Sequence, residues 1–154
     1  SVPSLLISNY VLVYDSLQKA YITWPDDLVQ ADFGNSIIYG NLDNELEISS
    51  LNDQQMNYYF DHCLLRVNTD SVSVEDTSHF RDIIINKDPR FVRPVANYEE
   101  PVNLQLDTLS PAKDTGSIQI GTTVPFDYDG NSRLQDKAPD LGAYERIDST
   151  ELAR

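Results

Sequence analysis

The sequence predicts an all-β protein in which short strands stack as successive turns of a parallel β-helix. Two observations carry this prediction. Apolar residues occur in short β-rich clusters separated by Asn, Asp, Gly and Pro, whereas helical periodicity is scarce. Two of these clusters also align with each other at a fixed offset, which is typical of a structural repeat.

The repeat aligns residues 33–41 with residues 60–68, an offset of 27 residues. A third, weaker copy at residues 80–86 fits after one deletion. Repeats of this length suit a coil in which one turn buries its inward side chains only when the next turn stacks on it. A β-sandwich with coincidental similarity is the alternative. The aligned pairs are Phe33 with Phe60, Ser36 with Cys63, Ile37 with Leu64, Ile38 with Leu65 and Asn41 with Asn68.

In such a coil the small Ser36 and Cys63 are expected to point inward. Asn41 and Asn68 are expected at a bend, where Asn tolerates a left-handed backbone. Before the first repeat, residues 26–30 follow Pro25 and are compatible with a helical turn or an irregular loop. The prediction divides the chain into β-helix turns over residues 1–106, a C-terminal capping segment over 107–148 and a tail over 149–154.

The C-terminal segment contains three blocks that suggest a family. They are LSPAKDTG at 109–116, DYDGNSR at 127–133 and PDLGAYE at 139–145, with NSIIYGN at 35–41 and DPRFV at 88–92 upstream. In this order the blocks resemble the C-terminal part of bacterial right-handed parallel β-helix proteins of the pectate-lyase-like superfold, over about residues 32–146. The predicted fold is therefore the last few turns of a right-handed parallel β-helix with an irregular C-terminal closing segment.

The resemblance implies a setting more than a reaction. Such proteins are typically secreted or displayed on the bacterial outer surface, often as lipoproteins beside glycan uptake systems, and some are polysaccharide lyases or glycoside hydrolases. Because no capping helix precedes residues 5–7, we also expect a C-terminal fragment of a longer protein. The open end would be covered by the remainder of its own polypeptide or by a partner.

Charge and composition exclude several classes of function. The 154 residues carry a formal charge of −14, and the excess of acids lies mainly in the first half. A polyanion such as nucleic acid would be repelled, so no nucleic-acid partner is expected. The apolar runs are too short to span a membrane, and the single cysteine, Cys63, has no internal disulfide partner.

One short motif has the alternating oxygen ligands of a calcium loop. Asp127, Asp129 and Asn131 surround Gly130, but no Glu follows at the spacing of an EF-hand. The alternative, which the shortness of the motif favours, is an Asx turn fixed by Arg133. We therefore predict no cofactor.

Arg133 is also expected to bind nearby carboxylates and to fix the end of the chain, while Leu141 and Tyr144 cover the core. The candidate carboxylates are those of Asp129, Asp136, Asp140 and Glu145.

Catalytic residues are hard to assign. Lyase chemistry on uronates needs carboxylates for calcium and an Arg or Lys base. Fragments of such a site are Arg66 near Asp61 and His62, and Arg81 near His79 and Asp82. Glycosidase chemistry needs two carboxylates at a set separation, and with 25 acids no pair stands out. No catalytic or metal residue is assigned, and the sequence leans away from an enzyme.

Aromatic residues offer a third kind of site. They lie early in the chain and again near the second repeat, and exposed Tyr and Trp rings stack on sugars, although packing under a loop is the commoner role. Three functions therefore stay open: non-catalytic binding or handling of polysaccharides or oligosaccharides, a lyase or hydrolase with its active residues mostly upstream, and a structural or adhesive surface module. The aromatic candidates are Tyr10, Tyr14, Tyr21, Trp24, Tyr58 and Tyr59.

Overall fold

A computed structural model of the chain describes residues 2–51, 53–95 and 101–147. Within these ranges the chain forms short strands and one short helix. They are β1 (Leu5–Ser8), β2 (Tyr10–Asp15), β3 (Ala20–Pro25), β4 (Leu28–Ile38), β5 (Leu46–Ser49), β6 (Met56–Leu65), β7 (Phe80–Arg81), β8 (Ile84–Ile85), β9 (Phe91–Arg93), β10 (Asn103–Leu106) and α1 (Ile118–Thr123).

The strands form four small sheets. The largest has four parallel strands, with β6 between β4 on one side and the short β7 and β8 on the other. A second parallel pair joins β1 to β5. The other two sheets are antiparallel pairs, β2 with β3 and β9 with β10.

This topology shows that the predicted right-handed parallel β-helix is wrong, and with it the resemblance to the pectate-lyase-like superfold. The sheets have two to four strands and mix parallel with antiparallel pairs, and no closed or solenoid sheet forms in the described ranges. The physical reason lies in the connections. Only four residues separate β2 from β3, a length that joins antiparallel strands, whereas a parallel connection needs a long crossover.

The offset of 27 residues has a local origin. Phe33 lies beside Phe60 and Ser36 beside Cys63 in the parallel register of β4 and β6. The similarity therefore reflects the matched faces of two neighbouring strands and not a repeated coil. The expected left-handed pair of Asn41 and Asn68 is also wrong, because neither residue has a positive φ angle.

Three residues on adjacent strands do adopt the left-handed conformation. Asn35, His62 and Asp82 have φ angles of 47°, 51° and 52°, and each follows a residue paired in the β4, β6 and β7 ladder. Asn, Asp and His are the residues other than Gly that most often adopt this conformation. The bend therefore brings the side chains of three strands to one corner of the sheet.

An aromatic stack forms the centre of the apolar core. The ring of Phe60 lies parallel to those of Phe33 and Phe80, with centroids 4.6 and 5.3 Å away. Phe60 is fully buried and packs in one cluster with Leu46 and Leu65. A second, smaller cluster places Leu64 from the other face of β6 against the C-terminal segment. Its other fully or nearly fully buried members are Leu106, Ala112 and Leu141.

The C-terminal segment is mostly turns, with α1 as its one helix in the described residues. Ser117 caps α1 by accepting a hydrogen bond from the Ile120 amide, and Asn35 of β4 bonds to Ser117 from the sheet side. Residues 28–30, expected in a helical turn or loop, instead begin β4. No helix in the described ranges has the length and apolar character needed to cross a bilayer.

Candidate functional site

The hairpin of β2 and β3 exposes most of its large side chains. Tyr14, Tyr21 and Trp24 are 55%, 70% and 61% exposed, and Tyr14 and Tyr21 contact each other edge to face across the strands. Alternation along the strands places Tyr14 and Tyr21 on one face and Trp24, paired with Val11, on the other. Both faces of the hairpin are therefore available to a ligand.

A buried side chain fixes the base of this hairpin. Asn9, immediately before β2, donates through Nδ2 to the carbonyls of Leu51 and Gln54 at 3.0 and 3.2 Å, and its Oδ1 accepts from the Leu51 amide at 2.7 Å. The Asp26 amide then donates to the Asn9 carbonyl, which closes the two ends of the hairpin. These bonds hold the base to the body of the protein.

The turn of the hairpin has its own local support. Asp15 Oδ1 accepts hydrogen bonds from the amides of Leu17 and Gln18, and Lys19 adopts a φ angle of 50°. This Asx arrangement is a standard way to reverse the chain. Asp15 and Lys19 are also the only charged residues from Tyr10 to Pro25, so the hairpin has no net charge although the whole chain is strongly acidic.

The other predicted aromatic residues are less available. Tyr58 stacks on the ring of His79 with centroids 4.0 Å apart, and burial raises the pKa of its phenol. Tyr59 lies under the guanidinium of Arg81. Tyr10 is half-buried and its hydroxyl bonds to Ser49 Oγ at 2.7 Å. Of the predicted sugar-stacking residues, the structure thus exposes Tyr14, Tyr21 and Trp24.

A polar cluster occupies the left-handed corner of the sheet. Asp61 accepts from Arg81 through both carboxylate oxygens and from His62 Nδ1 at 2.7 Å. His62 Nε2 lies 3.6 Å from an oxygen of Asp82. Burial alone would raise the pKa of Asp61, but these hydrogen bonds hold it below its usual value.

The ion pair between Asp61 and Arg81 makes this corner a structural link between β6 and β7. Asp61, His62 and Asp82 each offer one atom that could ligate a metal ion, and these three atoms all lie within 4.8 Å of one another. However, Arg81 and His62 already occupy both oxygens of Asp61. The same contacts hold the Arg81 guanidinium, which is unlike a free lyase base.

The expected neighbours of this cluster are only partly present. Arg81 does join Asp82 at the corner, but His79 instead donates to the Tyr58 carbonyl at 2.8 Å. Arg66 lies elsewhere, over the ring of Tyr39 and 3.4 Å from Asp43, at the rim of an open cavity of about 410 Å³. The bond between Arg81 and Asp61 was not foreseen, because it depends on the register of β6 and β7.

The candidate calcium motif forms an Asx turn. Asp127 Oδ1 accepts from the Asn131 amide at 2.7 Å, and Oδ2 accepts from Asn131 Nδ2 and the Glu145 amide at 3.0 and 2.8 Å. Burial opposes ionisation, yet these bonds hold the pKa of Asp127 below its usual value. Asp129 is turned away and contacts Gln105.

Arg133 lies buried in the C-terminal segment, as its acidic surroundings suggest. It contacts a Glu145 oxygen at 3.4 Å and donates to the carbonyl of Gly142 at 2.8 Å. Burial and the nearby Asp140 raise the pKa of Glu145 to about 8, and burial raises that of Asp140. Leu141 is buried beside this network, and Tyr144 contacts Tyr128 edge to face.

Cys63 is buried in the core on β6, as its small size suggests. Burial raises the pKa of its thiol to about 11, so almost no reactive thiolate forms at neutral pH. A nucleophilic role for this residue is therefore not supported.

No protein-family model, curated protein or solved structure matches the chain.

Proposed function

We propose that this protein is a non-catalytic glycan-binding module in which the hairpin of β2 and β3 contacts the sugar. The observation that supports this proposal is the exposure of Tyr14, Tyr21 and Trp24 on one anchored hairpin. Flat aromatic rings bury the apolar faces of sugar rings, and the base of the hairpin is held by the Asn9 hydrogen bonds.

Charge favours a neutral glycan. The hairpin itself is neutral, but the chain carries −14, so a polymer of uronates would be repelled. The proposal includes an extracellular or bacterial outer-surface location, where polysaccharides of this kind are found. An adhesive module is the alternative, because Val11, Leu12 and Val13 are also exposed and suit a protein surface.

A glycan-array screen tests the proposal, followed by titration of the best neutral oligosaccharide by calorimetry. Tyr21→Ala and Trp24→Ala remove rings from opposite faces of the hairpin, so the variant on the face that binds the sugar should weaken binding about tenfold or more and the other should change it little. Tyr128→Ala is the matched control, since Tyr128 is an exposed aromatic residue outside the hairpin. Equal binding by all three variants, or no glycan bound, would reject the proposal.

The array should be run with and without calcium. Calcium dependence that disappears in Asp127→Asn would assign the ligand role to the Asx turn instead of the hairpin. A protein that binds no glycan but adheres to other proteins through the hairpin would support the adhesive alternative.

An enzyme is the second candidate, and the corner of Asp61, His62, Arg81 and Asp82 is the observation that favours it. Release of unsaturated uronates or new reducing ends from a polysaccharide panel would establish such an activity. The activity should then be lost in His62→Gln and kept in His79→Gln, because His79 lies outside the corner.

A further inference from the structure

Strand β4 has an open edge. It pairs with β6 on one side, and no strand in the described residues pairs with its other side. In a parallel sheet, alternate residues direct both backbone groups to the same neighbour. The Phe60 amide donates to His79, so Phe60 faces β7 while Tyr59 and Asp61 face β4. The register then directs the backbone groups of Asp32 and Gly34 away from β6.

The far end of this edge is closed by the protein itself. Ser36 Oγ donates to the Gly34 carbonyl at 2.8 Å, and the side chain of Ile120 from α1 lies against Gly34. The register with β6 shifts between Leu28 and Ala31, so the open stretch with regular strand geometry is Ala31 to Phe33, with Asp32 at its centre. Unpaired strand edges of this kind bind extended polypeptide by adding a strand.

The side chains of the open stretch define what would fit. Asp32 is exposed on the outer face, where one of its two carboxylate oxygens accepts a hydrogen bond from Gln30 Nε2. Phe33 is half-buried and ends the aromatic stack on Phe60. Residues of an added strand would alternate in the same way. A basic side chain opposite Asp32 would pair with its carboxylate, and an apolar side chain opposite Phe33 would pack on its ring.

The charge of the region points to the same partner. From Ala20 to Leu51 the chain has six acids and no Lys or Arg, and Asp26 and Asp27 lie immediately before β4. A second copy of this chain carries the same net charge of −14 and the same acidic stretch, so the two copies would repel each other. A basic segment would instead be attracted.

We propose that the open edge of β4 binds an extended segment of a partner protein in which basic and apolar residues alternate. The backbone of Asp32 supplies strand hydrogen bonds, its carboxylate selects the basic residue, and Phe33 packs on the apolar residue. This interaction is independent of the glycan-binding hairpin.

The test uses the whole chain and an acetylated, amidated peptide of about eight residues that alternates Lys and Val. Fluorescence anisotropy should show binding of this peptide and little binding of the matching Glu and Val peptide. A version of the Lys peptide that is N-methylated on alternate residues keeps its charge but cannot pair along one edge. It should bind about tenfold or more weakly, since it cannot form the strand hydrogen bonds to the backbone of Asp32.

Two variants separate the backbone from the charge. Asp32→Pro removes the amide that faces the open edge and should weaken the Lys peptide about tenfold, whereas Asp32→Ala removes only one exposed charge and should weaken it about threefold. Equal effects of the two variants would show that attraction is purely electrostatic and overturn the proposal.

Two further results would also overturn it. One is full binding of the N-methylated peptide by the unaltered protein, a measurement that stands even if Asp32→Pro fails to fold. The other is a dimer in sedimentation that Asp32→Pro abolishes, because a second copy would then occupy the edge.

Discussion

The two buried regions of this protein are built from opposite chemistry. Beneath β6 the core is apolar, with Phe60 between Phe33 and Phe80 in a cluster of hydrophobic side chains. In the C-terminal segment the interior contains Arg133 and Glu145. The first region is held by non-directional burial, and the second by directed hydrogen bonds to Arg133 and Glu145.

The difference teaches where each region is vulnerable. An apolar core loses stability in proportion to the volume removed and is indifferent to pH. A buried charged network loses stability when one partner is removed or when a carboxyl changes its protonation state. Substitutions and pH should therefore separate the two regions.

Removing the central ring should have the largest effect. Phe60→Ala is expected to lower the free energy of unfolding by about 4 kcal/mol at every pH, because it leaves a cavity between two stacked rings. Urea unfolding followed by circular dichroism measures this change. Phe126→Ala, at an exposed ring, is the control and should change little. A small effect of Phe60→Ala would break the comparison.

Removing the buried cation should be the next largest effect. Arg133→Ala is expected to cost about 3 kcal/mol, because it removes the hydrogen bonds that the buried guanidinium donates to the carbonyls of Asp140 and Gly142 and leaves those acceptors without their partner. Arg90→Ala is the control, since Arg90 pairs with Asp107 at the surface. An unchanged melting temperature in Arg133→Ala would show that the network does not hold the C-terminal segment.

The pH dependence sharpens the same contrast. The folded pKa of Glu145 is raised to about 8, so the folded state holds a proton that the unfolded state releases above about 4.5. Stability should therefore fall as pH rises from about 5 to 8, by at most about 1.4 kcal/mol per pH unit for this one group. The raised pKa of Asp140 acts in the same direction.

Glu145→Gln is the matched test of this slope, because it stays neutral at every pH. Melting temperatures measured across the pH range should decline less steeply in this variant than in the unaltered protein. Parallel pH profiles for the two proteins would assign the slope to another group.

The corner of the sheet should show a smaller effect of the opposite sign. Asp61→Asn removes the acceptor for Arg81 and His62 and should cost about 1.5 kcal/mol near neutral pH. Because the pKa of Asp61 is lowered, this contribution is present above its unfolded value of 3.8 and is lost as pH falls below it. Asp43→Asn, at an exposed ion pair, is the control. A pH-independent difference would contradict this assignment.

The smallest effect on stability is expected in the hairpin. Trp24→Ala should change the free energy of unfolding by less than about 0.5 kcal/mol, because the ring is largely exposed. The same urea experiment measures it beside Phe60→Ala. A large loss of stability would mean that the ring packs against the body of the protein, which would weaken its proposed role as a sugar platform.

Some of this architecture is visible in the sequence. The apolar clusters at residues 37–39 and 63–65 do mark strands, although β4 ends at Ile38, and the similarity between them anticipates that Ile37 lies beside Leu64. The sequence also places Arg133 among carboxylates, and the structure brings it to Glu145. Matched strand faces and charge pairing leave local signals of this kind.

The direction of pairing is not visible in the same way. An apolar strand such as β2 has the same composition whether its neighbour is parallel or antiparallel. The Asp15 turn, which makes β2 and β3 antiparallel, has no strong sequence signal. The bond between Asp61 and Arg81 depends on the register of a two-residue strand. Strand direction and the register of such short strands cannot be derived from residue patterns alone.

The burial of Cys63 gives the protein a built-in reporter. It is the single cysteine, and its thiol lies on β6 among the apolar core residues. A thiol reagent can modify it only when β6 separates from its surroundings, so the labelling rate measures how often the core opens in the native state. Phe60→Ala should accelerate this labelling strongly, whereas Trp24→Ala should leave the rate unchanged.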